Sequence, residues 1–241
     1  MSEVRIRLYV RQALAAGQPV PLTPEQAHYL FSVMRLAVGA QVALFNGTDG
    51  EWRAEVAEAG RRGGIMICRD PLRQQTMPPD LWLMFAPIKK ARTDFIVEKA
   101  VEMGARRIMP VQTQHTNSER IRQDRLQAHA VEAAEQCGAT HVPEVADLAG
   151  LDRVLAGWPD GRRLMWCDEA MAGQRVALPG QRGDPWAILI GPEGGFSDRE
   201  AVRLRAIPMV VPVALGPRIL RADTAAVAAL TLWQSALGDW A

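Results

Sequence analysis

Ile188-Leu-Ile-Gly-Pro-Glu-Gly-Gly-Phe-Ser-Asp-Arg-Glu200 and, a little further on, Leu215-Gly-Pro-Arg-Ile-Leu-Arg-Ala-Asp-Thr-Ala225 decide how this chain is read. In each, an apolar strand-like run ends in a glycine-containing loop and a helix follows. Ser197-Asp-Arg-Glu200 has the form of a capping box, which opens the first of those helices. Glycines at such a place let the backbone approach a ligand closely. In open α/β sheets, ligands bind beyond the carboxyl ends of the strands. A small-molecule site at Gly191–Gly195 follows from this physics, although the same pattern also serves a tight strand-to-helix turn. In the second stretch Ile219 and Leu220 are apolar residues in a loop, suited to walling a flat apolar ligand such as adenine. Arg218 and Arg221 flank them and suit phosphate, while Asp223 and Thr224 are candidates to cap the final helix.

Outward from these stretches, strands alternate with helices. Leu81–Phe85, Arg107–Val111, Leu164–Cys167, Trp186–Ile190 and Met209–Leu215 read as strands, with Pro212 requiring an edge or a bulge. Thr93–Met103, Asp124–Cys137 and Thr224–Leu237 have helical periodicity. This alternation predicts an α/β domain with a parallel sheet and helices on its faces. Upstream, Asp70-Pro-Leu-Arg-Gln-Gln-Thr-Met-Pro-Pro-Asp80 carries three prolines and marks a boundary. Before it, Arg5–Val10, Gln41–Phe45, Trp52–Ala57 and Gly64–Cys68 alternate in the manner of short strands between turn signals, which predicts a small β-barrel. Thr23-Pro24-Glu25-Gln26 opens a short helix that carries His28 and Arg35. The expected domains are 1–73 and 74–241.

The 241 residues are 48% hydrophobic and 23% charged, with a formal net charge of +1, so bulk charge does not announce a nucleic-acid binder. Residues 86–125 nevertheless hold nine basic against five acidic residues, Glu119 among the latter. Only three of the 28 basic residues are lysines; arginine suits bidentate phosphate contacts, and a GC-rich genome gives the same bias. Three widely spaced cysteines (Cys68, Cys137, Cys167) without a CxxC pair argue against a disulfide framework and fit a reducing cytoplasm. The start, Met1-Ser-Glu-Val-Arg-Ile-Arg7, does not read as a secretory signal, and no apolar run suits a membrane span. No GxxxxGK[ST], GxGxxG or GxSxG occurs. His28, His115, His129 and His141 have no ligand spacing, so neither a metal nor a membrane partner is expected.

At these residues the chain resembles a known family. "LIGPEGGFSDRE" followed by "LGPRILRADTA" is similar to the signature of the ribosomal RNA small subunit methyltransferase E family, which methylates N3 of a uridine in the decoding region of 16S rRNA. "KKARTDFIVEKAVEMGARRIMPV" and "EAAEQCGATHVPEV" resemble further parts of its catalytic domain, and "HYLFSVMRLAVGAQVALFNGTDGEWRAEV" resembles its RNA-binding, PUA-like barrel. The resemblance implies a C-terminal SPOUT domain with a deep trefoil knot at about residues 188–230, S-adenosylmethionine held in the knot loops, a homodimer, and the small ribosomal subunit as partner. Carried over by motif, the cofactor contacts are Leu189, Gly191, Gly195, Leu215, Gly216, Ile219, Leu220 and Ala225. Gln114-His115-Thr116 and Ala139 depart from the family pattern at positions expected to face RNA.

Uridine N3 is a poor nucleophile while it carries its proton, so a base or an anion-stabilising group is needed. Arg92 and Arg221 are the candidates for stabilisation; Glu193, Asp223 and Glu98 are the candidates for proton acceptance, with solvent as a rival. N3 lies on the pairing edge, so the target base must be unpaired or flipped out. RNA contact is expected from Arg5, Arg7, Arg11, Arg35 and Arg53 of the barrel. Two further readings share these residues: a SPOUT enzyme acting on ribose or another base, in tRNA for example, and a non-catalytic RNA-binding assembly factor.

Overall fold

The computed structural model describes residues 4–117, 120–171 and 178–240. Met1–Glu3 and Glu119, which entered the reading of the N-terminus and of the basic stretch, lie outside the described residues. The chain divides into two compact units. One holds the residues up to Met77 together with Ala134–Val142, and the other holds Pro78–Ala133 and the residues from Pro143 onward.

The first unit contains β1 (Arg7–Tyr9), β2 (Pro19–Pro21), α1 (Pro24–Ala27), a π-helical stretch His28–Val33, β3 (Gln41–Phe45), β4 (Glu51–Gly60) and β5 (Gly63–Arg73). The strands form one sheet in the order β1-β3-β4-β5-β2. The pair β1–β3 is parallel and the others are antiparallel. Thr23 caps α1 as its sequence predicts: its side chain accepts from the Gln26 backbone N–H, and the Gln26 side chain returns to the Thr23 N–H. The proline stretch departs from expectation. β5 runs through Pro71 to Arg73, with Pro71 opposite Trp52 where the register shifts, and such an irregularity is where a strand tolerates proline. Leu8, Val20, Leu30, Val42, Leu44, Val56 and Met66 form the core of this unit.

Arg7 ties the unit together. Its Nε donates to Glu51 at 2.5 Å, its Nη1 to the carbonyls of Ala134 and Glu135 at 2.5 and 2.8 Å, and its Nη2 to that of Ala139 at 2.8 Å. The guanidinium also lies 4.5 Å from the centroid of the Phe45 ring. Burial pushes the Glu51 carboxyl up, but hydrogen bonds and charges from Arg73 and Arg7 outweigh it and hold the group below the usual range.

The second unit contains β6 (Leu81–Phe85), α2 (Lys90–Glu102), β7 (Arg107–Gln112), α3 (Gln123–Cys137, whose last turn belongs to the first unit), β8 (Glu144–Val145), β9 (Ala149–Gly150), α4 (Leu151–Ala156), β10 (Arg163–Cys167), β11 (Trp186–Ile190), α5 (Asp198–Arg205), β12 (Val210–Val213) and α6 (Ala222–Leu237). Its strands are all parallel, in the order β12-β10-β11-β6-β7-β8, with β9 beside β7. β11 is central and wholly buried, which is why Trp186–Ile190 is apolar without alternation. β12 is an edge strand, where the missing N–H of Pro212 costs no ladder bond on the open side. Trp166, Ala187 and Leu189 face a core shared with Leu151 and Leu155 of α4 and Leu204 of α5. α2 and α6 pack together, and α6 also lies against β11. α6 buries Ala222, Ala225, Ala226, Ala229, Leu230, Trp233 and Leu237 on one face. Among the described residues no helix is long and apolar enough to cross a membrane.

Candidate active site

A cleft of about 390 Å³ opens at the carboxyl ends of β10, β11 and β12. Cys167 ends β10 and Asp168 and Glu169 follow it; Ile190 ends β11 and Gly191, Glu193, Gly195 and Phe196 follow it; Leu215, Gly216 and Arg218–Arg221 follow β12; and Ala222 and Ala225 come from the first turns of α6. The capping box at Ser197 fixes the floor. The Ser197 side chain accepts from the Glu200 N–H while the Glu200 carboxylate accepts from the Ser197 N–H at 2.9 Å. A second Glu200 oxygen accepts from the Gln114 N–H at 2.8 Å, and the His115 ring meets the Gly194 carbonyl at 2.9 Å. Gln114 and His115, read as RNA-facing departures, therefore brace the Gly191–Gly195 loop. The Ala139 carbonyl, in the first unit, is engaged by Arg7.

Seven of the eight residues expected at the cofactor line this cleft: Gly191, Gly195, Leu215, Gly216, Ile219, Leu220 and Ala225. Leu189 does not; it is fully buried on the opposite face of its strand, and Ile190 lines the cleft in its place. The glycines have specific reasons. Gly195 has φ +65°, and a Cβ there would lie 2.6 Å from Oε1 of Glu169; a Cβ on Gly191 would lie 2.7 Å from the Phe196 ring. Ile219 is 74% exposed, an apolar wall in need of a partner. Trp166, Cys167, Glu169 and Arg205 also line the cleft, yet no motif in the sequence points to them. The pairing of β10 between β12 and β11 places Trp166, Cys167 and Glu169 there, and the end of α5 supplies Arg205. Burial pushes the Cys167 thiol up to about 12, so it is neutral and not a nucleophile.

The structure brings three of the five candidate catalytic residues together. Arg92 on α2 reaches Glu193 at 3.5 Å through Nη1 and Asp223 at 3.6 Å through Nε. These residues lie far apart in sequence, and the arginine spans the loop after β11 and the start of α6. Arg221 lines the cleft as the N-cap residue of α6, its carbonyl accepting from the Ala225 N–H at 2.7 Å. That assignment corrects the expected cap: Asp223 sits inside the first turn and accepts from the Thr224 N–H at 2.9 Å. Glu98 is placed elsewhere, facing His129 at 3.2 Å rather than the cleft. The basic stretch is largely neutralised within its own unit, through Arg107–Glu144, Arg125–Asp94, Arg122–Asp124 and Lys99–Glu102.

The five arginines expected to meet RNA divide by environment. Arg5, Arg11 and Arg35 are exposed. Arg7 is not available: its side chain is 13% exposed and its donors are engaged as described above. Arg53 is equally buried and pairs with Asp70 at 3.5 Å.

A parallel sheet with a glycine-walled cleft at its carboxyl edge and an arginine–carboxylate set beside it has close counterparts. A family model described as an RNA methyltransferase domain matches residues 75–234, and one described as an RNA methyltransferase PUA domain matches residues 22–65. These matches put the chain in the class of RNA methyltransferases. A ribosomal RNA small subunit methyltransferase E of Synechocystis sp. is 31% identical, covering 93% of this chain and 75% of the relative, and that of Rickettsia conorii is 27% identical, covering 93% of each. The crystal structure of that enzyme from Neisseria gonorrhoeae, bound to S-adenosylmethionine, superposes with a TM-score of 0.87 at 25% identity, covering 98% of this chain and 99% of that one. A protein from Legionella pneumophila, solved with bound S-adenosylmethionine, gives 0.88 at 30% identity, covering 99% and 100%. The chain belongs to the ribosomal RNA small subunit methyltransferase E family.

Proposed function

We propose that this protein transfers a methyl group from S-adenosylmethionine to N3 of a uridine in the decoding region of 16S rRNA. The family membership supports small-subunit rRNA as substrate, and the two structural relatives solved with S-adenosylmethionine support the cofactor. The cleft fits that group. Its volume is within the roughly 300–1,000 Å³ usual for small-molecule sites. Ile219 and Leu220 offer an apolar wall, and the Gly191–Gly195 turn leaves room where side chains would collide. When bound, the cofactor supplies a methyl group already activated by its sulfonium charge.

The single observation that carries the mechanism is the convergence of Arg92, Glu193 and Asp223 at one edge of the cleft. The two carboxylates aim the guanidinium. Arg92 then stabilises the uracil oxygen that becomes negative when N3 loses its proton. A carboxylate oxygen of Glu193 or Asp223 accepts that proton, and Arg221 at the mouth of the cleft holds a backbone phosphate or the same anion. In this proposal the unit up to Met77 docks RNA, with Arg5, Arg11 and Arg35 replacing the full set of five. The C-terminal unit performs the transfer, with a knot at about residues 188–230. The protein works as a cytoplasmic homodimer, for which Leu232, 39% exposed on the apolar helix α6, is a contact candidate.

Mass spectrometry of nucleosides from 16S rRNA of a deletion strain tests the proposal. N3-methyluridine should vanish from the decoding region, return with the wild-type gene, and fail to return with Arg92→Ala. Loss of a different modification would refute the assignment of the target atom.

A further inference from the structure

The sequence predicts one short helix from Thr23 that carries His28 and Arg35; instead the α-helix stops at Ala27, the backbone widens into the π-helix His28–Val33 and then passes through Arg35 at φ +57°, outside any helix. π-Helical turns are rare and concentrate at functional sites. Arg35 is the one non-glycine residue with positive φ among the described residues; Gly17, Gly39, Gly47, Gly50 and Gly138 take the other left-handed positions of this unit. A glycine would make the turn at Arg35 without steric cost. An arginine kept in that conformation is kept for its guanidinium, since strain of this kind persists where a site requires it.

The surroundings say what the guanidinium is for. Tyr29, Val33, Met34 and Val38 are 39%, 57%, 41% and 64% exposed, a run of apolar surface within ten residues. Clustered exposure of this kind marks an interaction site. Phe31 packs where a Cβ on Gly64 would lie, 2.6 Å from its ring, and so brings the Arg61-Arg62 turn between β4 and β5 alongside the π-helix. On the other flank Arg5 lines a shallow groove with Leu36, Gly39, Ala40 and Gln41. Arg7, Arg53, Arg69 and Arg73 are each held by a carboxylate. The guanidinium groups of Arg5, Arg35, Arg61 and Arg62 make no ion pair or hydrogen bond among the described residues, and all four residues are exposed or lie in exposed turns.

Resting on the reading of RNA as substrate, we propose that this face is the RNA-docking surface of the first unit and that it takes an unpaired stretch. Bases lie against Tyr29 and Met34, and Arg5, Arg35, Arg61 and Arg62 hold the flanking phosphates. An aromatic platform beside unpaired arginines is the chemistry that captures single strands, because every base has a face to stack and every nucleotide a phosphate. A second copy of this chain does not fit: a symmetric contact would set the unpaired arginines of one protomer against those of the other.

Fluorescence anisotropy of the full-length protein with a short labelled single-stranded RNA, and with a blunt duplex of the same sequence, tests this. Arg35→Gly keeps the backbone conformation and removes the charge. Its melting temperature should be unchanged or raised, its single-strand affinity should fall about tenfold in moderate salt, and its salt slope should become shallower by about one. Tyr29→Ala should weaken the single strand by about tenfold and the duplex much less. S-adenosylmethionine affinity, measured by calorimetry, should stay the same in both variants. A folded Arg35→Gly protein with wild-type RNA affinity overturns the proposal. So does a Tyr29→Ala protein that binds RNA normally but sediments as a smaller species, which would make the face a contact between copies. A wild-type protein that methylates small-subunit rRNA yet binds neither probe overturns this docking surface and leaves the active-site reading standing; failure of both overturns the two together.

Discussion

Replacing Arg7 with alanine should cost the first unit a large share of its stability. The side chain is 13% exposed and the carboxylate it meets, Glu51, is 4% exposed, so the pair sits largely out of water. Removing one member of a buried pair costs about 3–5 kcal/mol, because the other charge is left poorly compensated. Here Arg73 remains on Glu51 at 2.5 Å, but its side chain is 48% exposed and solvent screens it, which favours the lower part of that range. The carbonyls of Ala134, Glu135 and Ala139 lose donors as well, and the first two belong to the last turn of α3, where a cation is favoured by the helix dipole. A net loss of about 4 kcal/mol is expected against the roughly 5–15 kcal/mol of a typical domain. Urea denaturation followed by circular dichroism, with Arg7→Ala, Glu51→Gln and the double variant in a cycle, reads the loss and the coupling. Arg7→Lys should recover only part, since one ammonium cannot reproduce the fork. A loss below about 1 kcal/mol for Arg7→Ala would mean the guanidinium is solvated and the reasoning is wrong.

Gly195→Val should abolish S-adenosylmethionine binding in calorimetry while circular dichroism stays native, because a side chain there meets Glu169 and a left-handed backbone at once; retained affinity would remove the loop from the site. Gly191→Val should also lower the melting temperature, because its side chain displaces Phe196, which packs edge-on against Trp166 at 5.9 Å. Arg92→Ala should reduce methylation turnover by about a hundredfold or more, with cofactor affinity little changed, and single-turnover assays on small subunits would show it. The Glu51 carboxyl has its folded pKa below the unfolded value of 4.5, so its contribution is present above about pH 4.5 and is lost as pH falls through the folded pKa. The stability gap between wild type and Glu51→Gln should therefore close on acidification, and a gap independent of pH would refute the pairing. In the folded protein at pH near 8, alkylation followed by mass spectrometry should label exposed Cys137 and spare Cys68 and Cys167, whose thiols burial keeps protonated.

The local signals were legible because local physics writes them into adjacent residues. Capping boxes at Thr23 and Ser197 need only four consecutive residues, and both formed. The buried strand Trp186–Ile190 is an unbroken apolar run, and the two glycine loops are readable as strand-to-helix turns after β11 and β12, which the structure places along one cleft. Leu189 was misplaced by one residue because an all-apolar strand gives no clue to which of its two faces meets the cleft. Proline at 71 suggested a break because the register shift that accommodates it is a property of β4 and β5 paired, not of either strand.

Which charges work together was beyond the sequence. Arg7 and Arg35 looked alike as barrel arginines, yet one is enclosed by Glu51 and three carbonyls and the other stands exposed on a left-handed turn. Arg92, Glu193 and Asp223 were candidates separately; their meeting depends on α2 and α6 packing on one face of the sheet. Residues after β10 entered the cleft only because β10 pairs between β12 and β11. The sequence determined where backbone turns, caps and apolar runs fall, since those energies act between neighbours along the chain. Tertiary structure decided which arginines are free and which carboxylates are near, since charge and burial depend on distance in space.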